Sequence, residues 1–165
     1  MAKPDALYDE DFVRWTEEQA AALRRAKSLP ASGAGRSNLP LDWENLAEEI
    51  ESLGKSDRRE LRSQITRVLR HLLKLEVSPA AEPRAGWRAT IDEARSEIEG
   101  LLEDSPNLRS EADGLIKKQI RAAARLAADD LRQHGEPEKA IGARLAMGGF
   151  TAVQVLGDWF PDTAG

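Results

Sequence analysis

The stretch Leu41–Glu76, LDWENLAEEIESLGKSDRRELRSQITRVLRHLLKLE, decides the fold, because charge and apolar spacing both change character within it. Asp42, Glu44, Glu48, Glu49 and Glu51 load the first half with negative charge, and Lys55, Arg58, Arg59, Arg62, Arg67, Arg70 and Lys74 load the second with positive charge. Trp43, Leu46, Ile50 and Leu53 step by three, four and three residues, the spacing of one helical face. Leu61, Ile65, Val68, Leu72 and Leu75 continue it, with Leu69 and Leu73 widening the stripe. With Asp42 and Ser56 as N-caps and Gly54 as a left-handed stop, the stretch reads as an acidic helix and a basic helix that attract as an antiparallel pair.

Outward from there the pattern remains helical. A first helix is expected from Tyr8 to Ser28, with Tyr8, Phe12, Trp15, Gln19, Ala22, Leu23 and Ala26 on its apolar face. The segment Pro30 to Pro40, rich in Pro, Gly and Ser, reads as a flexible linker that tethers this helix loosely. Beyond Pro79 and Pro83, Trp87, Ile91, Ala94, Ile98 and Leu101 mark a fourth helix expected to pack beside the third. Ser105 and Pro106 are placed as N-cap and first residue of a fifth, which ends near Gln133 before Gly135 and Pro137. The tail 136–165 is less regular: a short helix from Ala140 to Met147, then a capping box of Thr151 and Gln154 opening a last turn. The fold class is therefore all-α: one domain over 1–165, an antiparallel helical bundle of about five main helices with short C-terminal helical elements.

At 165 residues with a net charge of −5 and no cysteine, the chain is sized for one core and has neither thiolate chemistry nor a positive field for phosphate backbones. No apolar run approaches the roughly 20 residues of a membrane span, and the amino terminus lacks a signal peptide's apolar core, so cytoplasmic residence and no membrane partner are expected.

The blocks WENLAEEIESLG, RELRSQITRVLRHLLK and WRATIDEARSEIEGLLEDSP, with the early Tyr8–Phe12–Trp15–Thr16–Gln19 pattern, resemble the bacterial family known as domain of unknown function twenty-nine. The likeness runs over most of residues 7–134 and implies a mainly helical fold with no assigned activity. The linker is longer than the family's usual one, Leu75 stands where an aromatic is common, and TAVQVLGDWFP matches the family's closing segment loosely.

Chemistry-bearing residues are sparse. Gln19, Glu49, His71 and Glu97 are candidates for one buried polar cluster, either a device that specifies the packing or a site; a Glu49–His71 pair would serve proton transfer in a hydrolase or contact a small ligand. Neither Glu-x-x-His pairs nor an EF-hand loop occurs, so no metal and no cofactor are expected. Asp129 and Asp130 read as exposed acids, although they oppose the helix dipole there. Arg59, Arg62, Arg67, Arg70 and Lys74 form a basic face, which leaves a nucleic-acid-associated role through this helix as the weaker alternative, since no helix-turn-helix signature or aromatic platform accompanies it. Trp159 and Phe160 after a glycine-rich turn are the candidate partner-binding element, and the tethered first helix offers a route to a homo-oligomer by helix exchange. Complete caps and stripes beside missing chemistry favour a protein-binding accessory or regulatory module over an enzyme.

Overall fold

The computed structural model describes residues 4–29 and 40–162. Among them there is no strand, and the elements in order are α1 (Pro4–Glu10), α2 (Phe12–Ser28), α3 (Trp43–Val77), α4 (Arg84–Asp104), a 3₁₀ helix (Pro106–Glu111), α5 (Ala112–Gln133), α6 (Lys139–Ala146) and α7 (Ala152–Leu156). The all-α expectation holds. The linker read from Pro30 onward lies, except for Pro40, outside the described residues.

The largest departure from the sequence reading is α3, a single helix of 35 residues. Asp42 caps it as expected, accepting the Asn45 amide at 3.2 Å, but Gly54 does not end it and Ser56 caps nothing. The reason is steric. A Cβ on Gly54 would stand 2.3 Å from Thr16 Oγ1 of α2, so the glycine is needed for close helix approach. The charge gradient that suggested two helices suits one, since acids at its start and bases towards its end both complement its dipole.

The chain divides into two compact units, Met1–Arg59 with Leu101–Arg109, and Glu60–Gly100 with Ser110–Gly165. In the first unit the expected first helix is broken at Asp11, whose amide closes α1 on Leu7 O and whose carboxylate caps α2 by accepting the Arg14 amide at 2.9 Å. The buried positions of α2 are Val13, Thr16 and Ala20, one step round from the expected face, because these side chains allow the approach to Gly54. Tyr8, Phe12 and Trp15 are displaced to the flank, where they pack on one another at centroid separations of 4.9 to 6.0 Å. On the part of α3 that belongs to this unit the buried residues are the small ones, Ala47 and Gly54, while Leu46 and Leu53 remain 40% and 50% exposed. Arg24 and Lys27 of α2 reach Glu44, Arg24 also reaches Glu51, and Arg58 of α3 reaches Glu17.

In the second unit the aliphatic stripe Leu61, Ile65, Val68, Leu69, Leu72, Leu73 and Leu75 is fully buried, as expected from its spacing. Burying each such side chain contributes roughly 1.5–3 kcal/mol, so this stripe dominates the core. Ile91, Ala94 and Ile98 of α4 and Ile116, Ala123, Ala127 and Leu131 of α5 are buried in the same unit. Lys74, in the last turn of α3, lies 4.6 Å from the ring centroid of Trp87, in the first turn of α4. α5 ends on Gly135 at φ +69, with the Glu136 amide returning to Leu131 O at 2.8 Å. The Thr151–Gln154 capping box is also present. Ser105, expected to cap the fifth helix, instead accepts the Val13 amide through its hydroxyl at 3.0 Å, within the first unit.

Candidate functional site

The first unit holds a cavity of about 440 Å³ lined by Tyr8, Asp9, Phe12, Asp57 and Asp104. Three local features build it. The break at Asp11 sets Tyr8 and Phe12 edge to face, ring centroids 5.7 Å apart. Asp11 also accepts the Asn107 amide at 2.8 Å, and Ser105 accepts the Val13 amide, so the end of α4 and the turn after it are fastened to the start of α2. Asp104, the last residue of α4, therefore faces this cavity at a helix C-terminus, where the dipole disfavours a negative charge. Asp57 comes from α3, and burial followed by the charge of Asp104 raises its carboxyl above the ordinary aspartate value.

Among the described residues none of Asp9, Asp57 and Asp104 has a basic partner, and they do not form a group that would hold a metal ion. Aromatic faces beside uncompensated carboxylates suit an organic cation, a guanidinium or ammonium group, through ion pairing and the ring quadrupole together. Preceding Asp57 on the same face of α3 are Leu53, Ile50 and Leu46, spaced by three and four residues, the first and last substantially exposed. Sequence reasoning missed Asp9, Asp57 and Asp104, although an acid at the C-terminus of α4 was a usable signal.

The sequence-derived candidates fall elsewhere. Glu49 and Glu97 are exposed and Gln19 is half-buried on α2, so Glu49 and Glu97 are not members of a buried cluster. Glu49 and His71 lie 22 residues apart on the one helix α3, about 33 Å at 1.5 Å per residue, which removes the proposed acid–base pair. Trp159 and Phe160 are half-buried rather than displayed: Arg95 donates to Trp159 O at 2.6 Å, and Arg95 and Arg88 cover the Phe160 ring at 4.8 and 4.5 Å. Asp129 pairs with Arg132, while Asp130 is a counter-ion for Arg70 and Lys74 instead of a free acid. Arg70 and Lys74 are thereby withdrawn from the basic face, leaving Arg59, Arg62 and Arg67 exposed.

His71 belongs to the second unit. Its Nδ1 is buried without a partner, and burial, aided by Lys74 and Arg70 and opposed by Asp130, pushes its pKa down to about 4. The imidazole is neutral at pH 7. Because the unfolded chain binds a proton near pH 6.5 and the folded chain does not, stability is full above pH 6.5 and falls as the pH drops towards 4. The whole shift corresponds to about 3 kcal/mol, and solvent screening of a half-buried ring reduces it to about 1–2. Urea unfolding at pH 7 and pH 4.5 should therefore show His71→Leu losing about 1–2 kcal/mol less than the parent. Equal losses would show that the ring does not titrate in this way.

Comparison with known proteins adds no chemistry. The family described as Domain of unknown function DUF29 matches residues 7–144. A solved α-helical protein of unknown function from Rhodospirillum rubrum is similar, with 25% identity, a TM-score of 0.53, and coverage of 95% of this chain and 85% of that one. No curated protein matches.

Proposed function

The chain belongs to the family described as Domain of unknown function DUF29, and from that premise we propose that it is a protein-binding accessory or regulatory helical module of the bacterial cytoplasm. The family description carries no activity, so the reading rests on geometry. The observation that carries it is the exposure of Leu46 and Leu53, at 40% and 50%, on a face of α3 whose spacing is that of a core stripe. Long aliphatic side chains repeated on one rigid helical face beside a cavity form an incomplete packing surface, which a partner completes. Among the described residues no helix is long and apolar enough to cross a membrane. The hydrolase reading loses its support, since its acid and its imidazole stand about six turns apart on α3.

A photo-crosslinking amino acid at position 53, expressed in the native cell, tests this. We expect a discrete protein adduct that is absent when the same group replaces the exposed Glu93 of α4, and that is lost on adding Leu46→Asp. No adduct at position 53 above that control would overturn the reading.

A further inference from the structure

We infer that the partner presents a cationic amphipathic helix, which lays its apolar side chains along Leu46, Ile50 and Leu53 and inserts one basic side chain between Tyr8, Phe12, Asp57 and Asp104. This rests on the protein-binding reading above and specifies the chemistry of the partner. A helical face with apolar residues at three- and four-residue spacing accepts another helix read at the same spacing.

Charge selects the sign of that helix. Glu44 and Glu51 already have cations of their own chain, Arg24, Lys27 and Lys55. Towards the other edge of the stripe, Asp42 and Glu49 are exposed, and among the described residues neither has a basic partner. One turn beyond Leu53 stands Asp57, which opens onto Asp104 and Asp9. The surface thus offers an apolar strip, an acidic margin and an acidic aromatic recess at one end of the strip. A lysine or arginine side chain fills the recess with its stem against the rings and its charge on the carboxylates. Burial and the charge of Asp104 raise the proton affinity of Asp57, so a cation placed between the two carboxylates would relieve their repulsion. A second copy of this chain fits less well, because a two-fold contact through this face would set its acids, Asp42, Glu49 and Asp57, against the acids of the same face of the copy, in a chain already at −5.

The test uses the full chain and two synthetic amphipathic helical peptides with the same leucine stripe, one flanked by lysine and arginine, the other by glutamate, followed by fluorescence anisotropy at low salt. The cationic peptide should bind at least about tenfold more tightly than the anionic one and weaken as salt is raised. Leu53→Ser, and separately Asp57→Asn with Asp104→Asn, should each reduce binding about tenfold or more. Thermal unfolding of the aspartate variant controls for folding and should show no loss of stability, since Asp57, whose carboxyl is raised by burial and by the charge of Asp104, destabilises the unbound protein at neutral pH. Equal binding of the two peptides, binding of neither, unchanged binding by the aspartate variant, or a parent dimer that Leu53→Ser dissociates would each overturn the cationic-helix assignment. In those cases the adduct at position 53 still decides, separately, whether a protein is bound at all.

Discussion

Replacing Asp130 with alanine should lower the unfolding free energy by about 3–5 kcal/mol, the range found when one member of a buried ion pair is removed. Lys74 is the reason. Its side chain is only 7% exposed, lies under the Trp87 ring, and has Asp130 Oδ2 at 3.0 Å as its counter-ion. Arg70 donates to the same carboxylate through Nε at 2.8 Å. Without Asp130 the ammonium stays buried with an aromatic face alone, which is worth about 2 kcal/mol and does not offset desolvation of a charge. Although burial acts to raise it, the hydrogen bonds and charges of Arg70 and Lys74 hold the Asp130 carboxyl below the ordinary aspartate value. Its contribution is therefore present above the unfolded value of 3.8 and is lost as the pH falls through the depressed one. Equilibrium urea unfolding at pH 7 measures the effect, and Asp130→Ala combined with Lys74→Met should recover most of it, because removing both charges leaves none uncompensated. A loss under about 1 kcal/mol for Asp130→Ala alone would show that solvent reaches Lys74 and that the triad is a surface feature.

This triad also marks what the sequence conveys and what it does not. The stripe from Leu61 to Leu75 was readable because long aliphatic residues at helical spacing have no other use in a polar chain, and every one of them is buried. Asp130 was not, since its role depends on residues 56 and 60 positions away that have no pattern linking them to it. The same limit hid the recess, whose carboxylates come from α1, α3 and the end of α4 and meet only through tertiary packing. Trp43, Leu46, Ile50 and Leu53 misled in the opposite direction: their spacing is that of a core stripe, yet Ala47 and Gly54 face α2 and the leucines do not. Small residues leave almost no periodic signal, because their value lies in what they permit a neighbouring helix to do.

Gly54 is where the two interpretations of the chain give opposite results. If it ended a helix in the left-handed conformation, alanine there would be strained wherever its neighbours were, and no change in α2 would help. Inside continuous α3, alanine gains about 1 kcal/mol of helix propensity over glycine but drives its Cβ to 2.3 Å from Thr16 Oγ1. Thr16 cannot yield cheaply, since it is fully buried and its hydroxyl donates to Val13 O at 2.7 Å. Overpacking of this kind costs roughly 1–3 kcal/mol, so Gly54→Ala should destabilise by about 1 kcal/mol net, and Gly54→Leu, with further atoms directed at Val13, by about 3. Thr16→Ala removes the obstructing oxygen and leaves the nearest remaining contacts at 3.5 and 3.6 Å, which are ordinary. In that background Gly54→Ala should become neutral or stabilising, a coupling of about 1–2 kcal/mol in a double-mutant cycle read by urea unfolding. Additive effects of the two substitutions would mean that α2 and α3 do not meet at this glycine, and the face carrying Leu46 and Leu53 would then have to be reassigned as well.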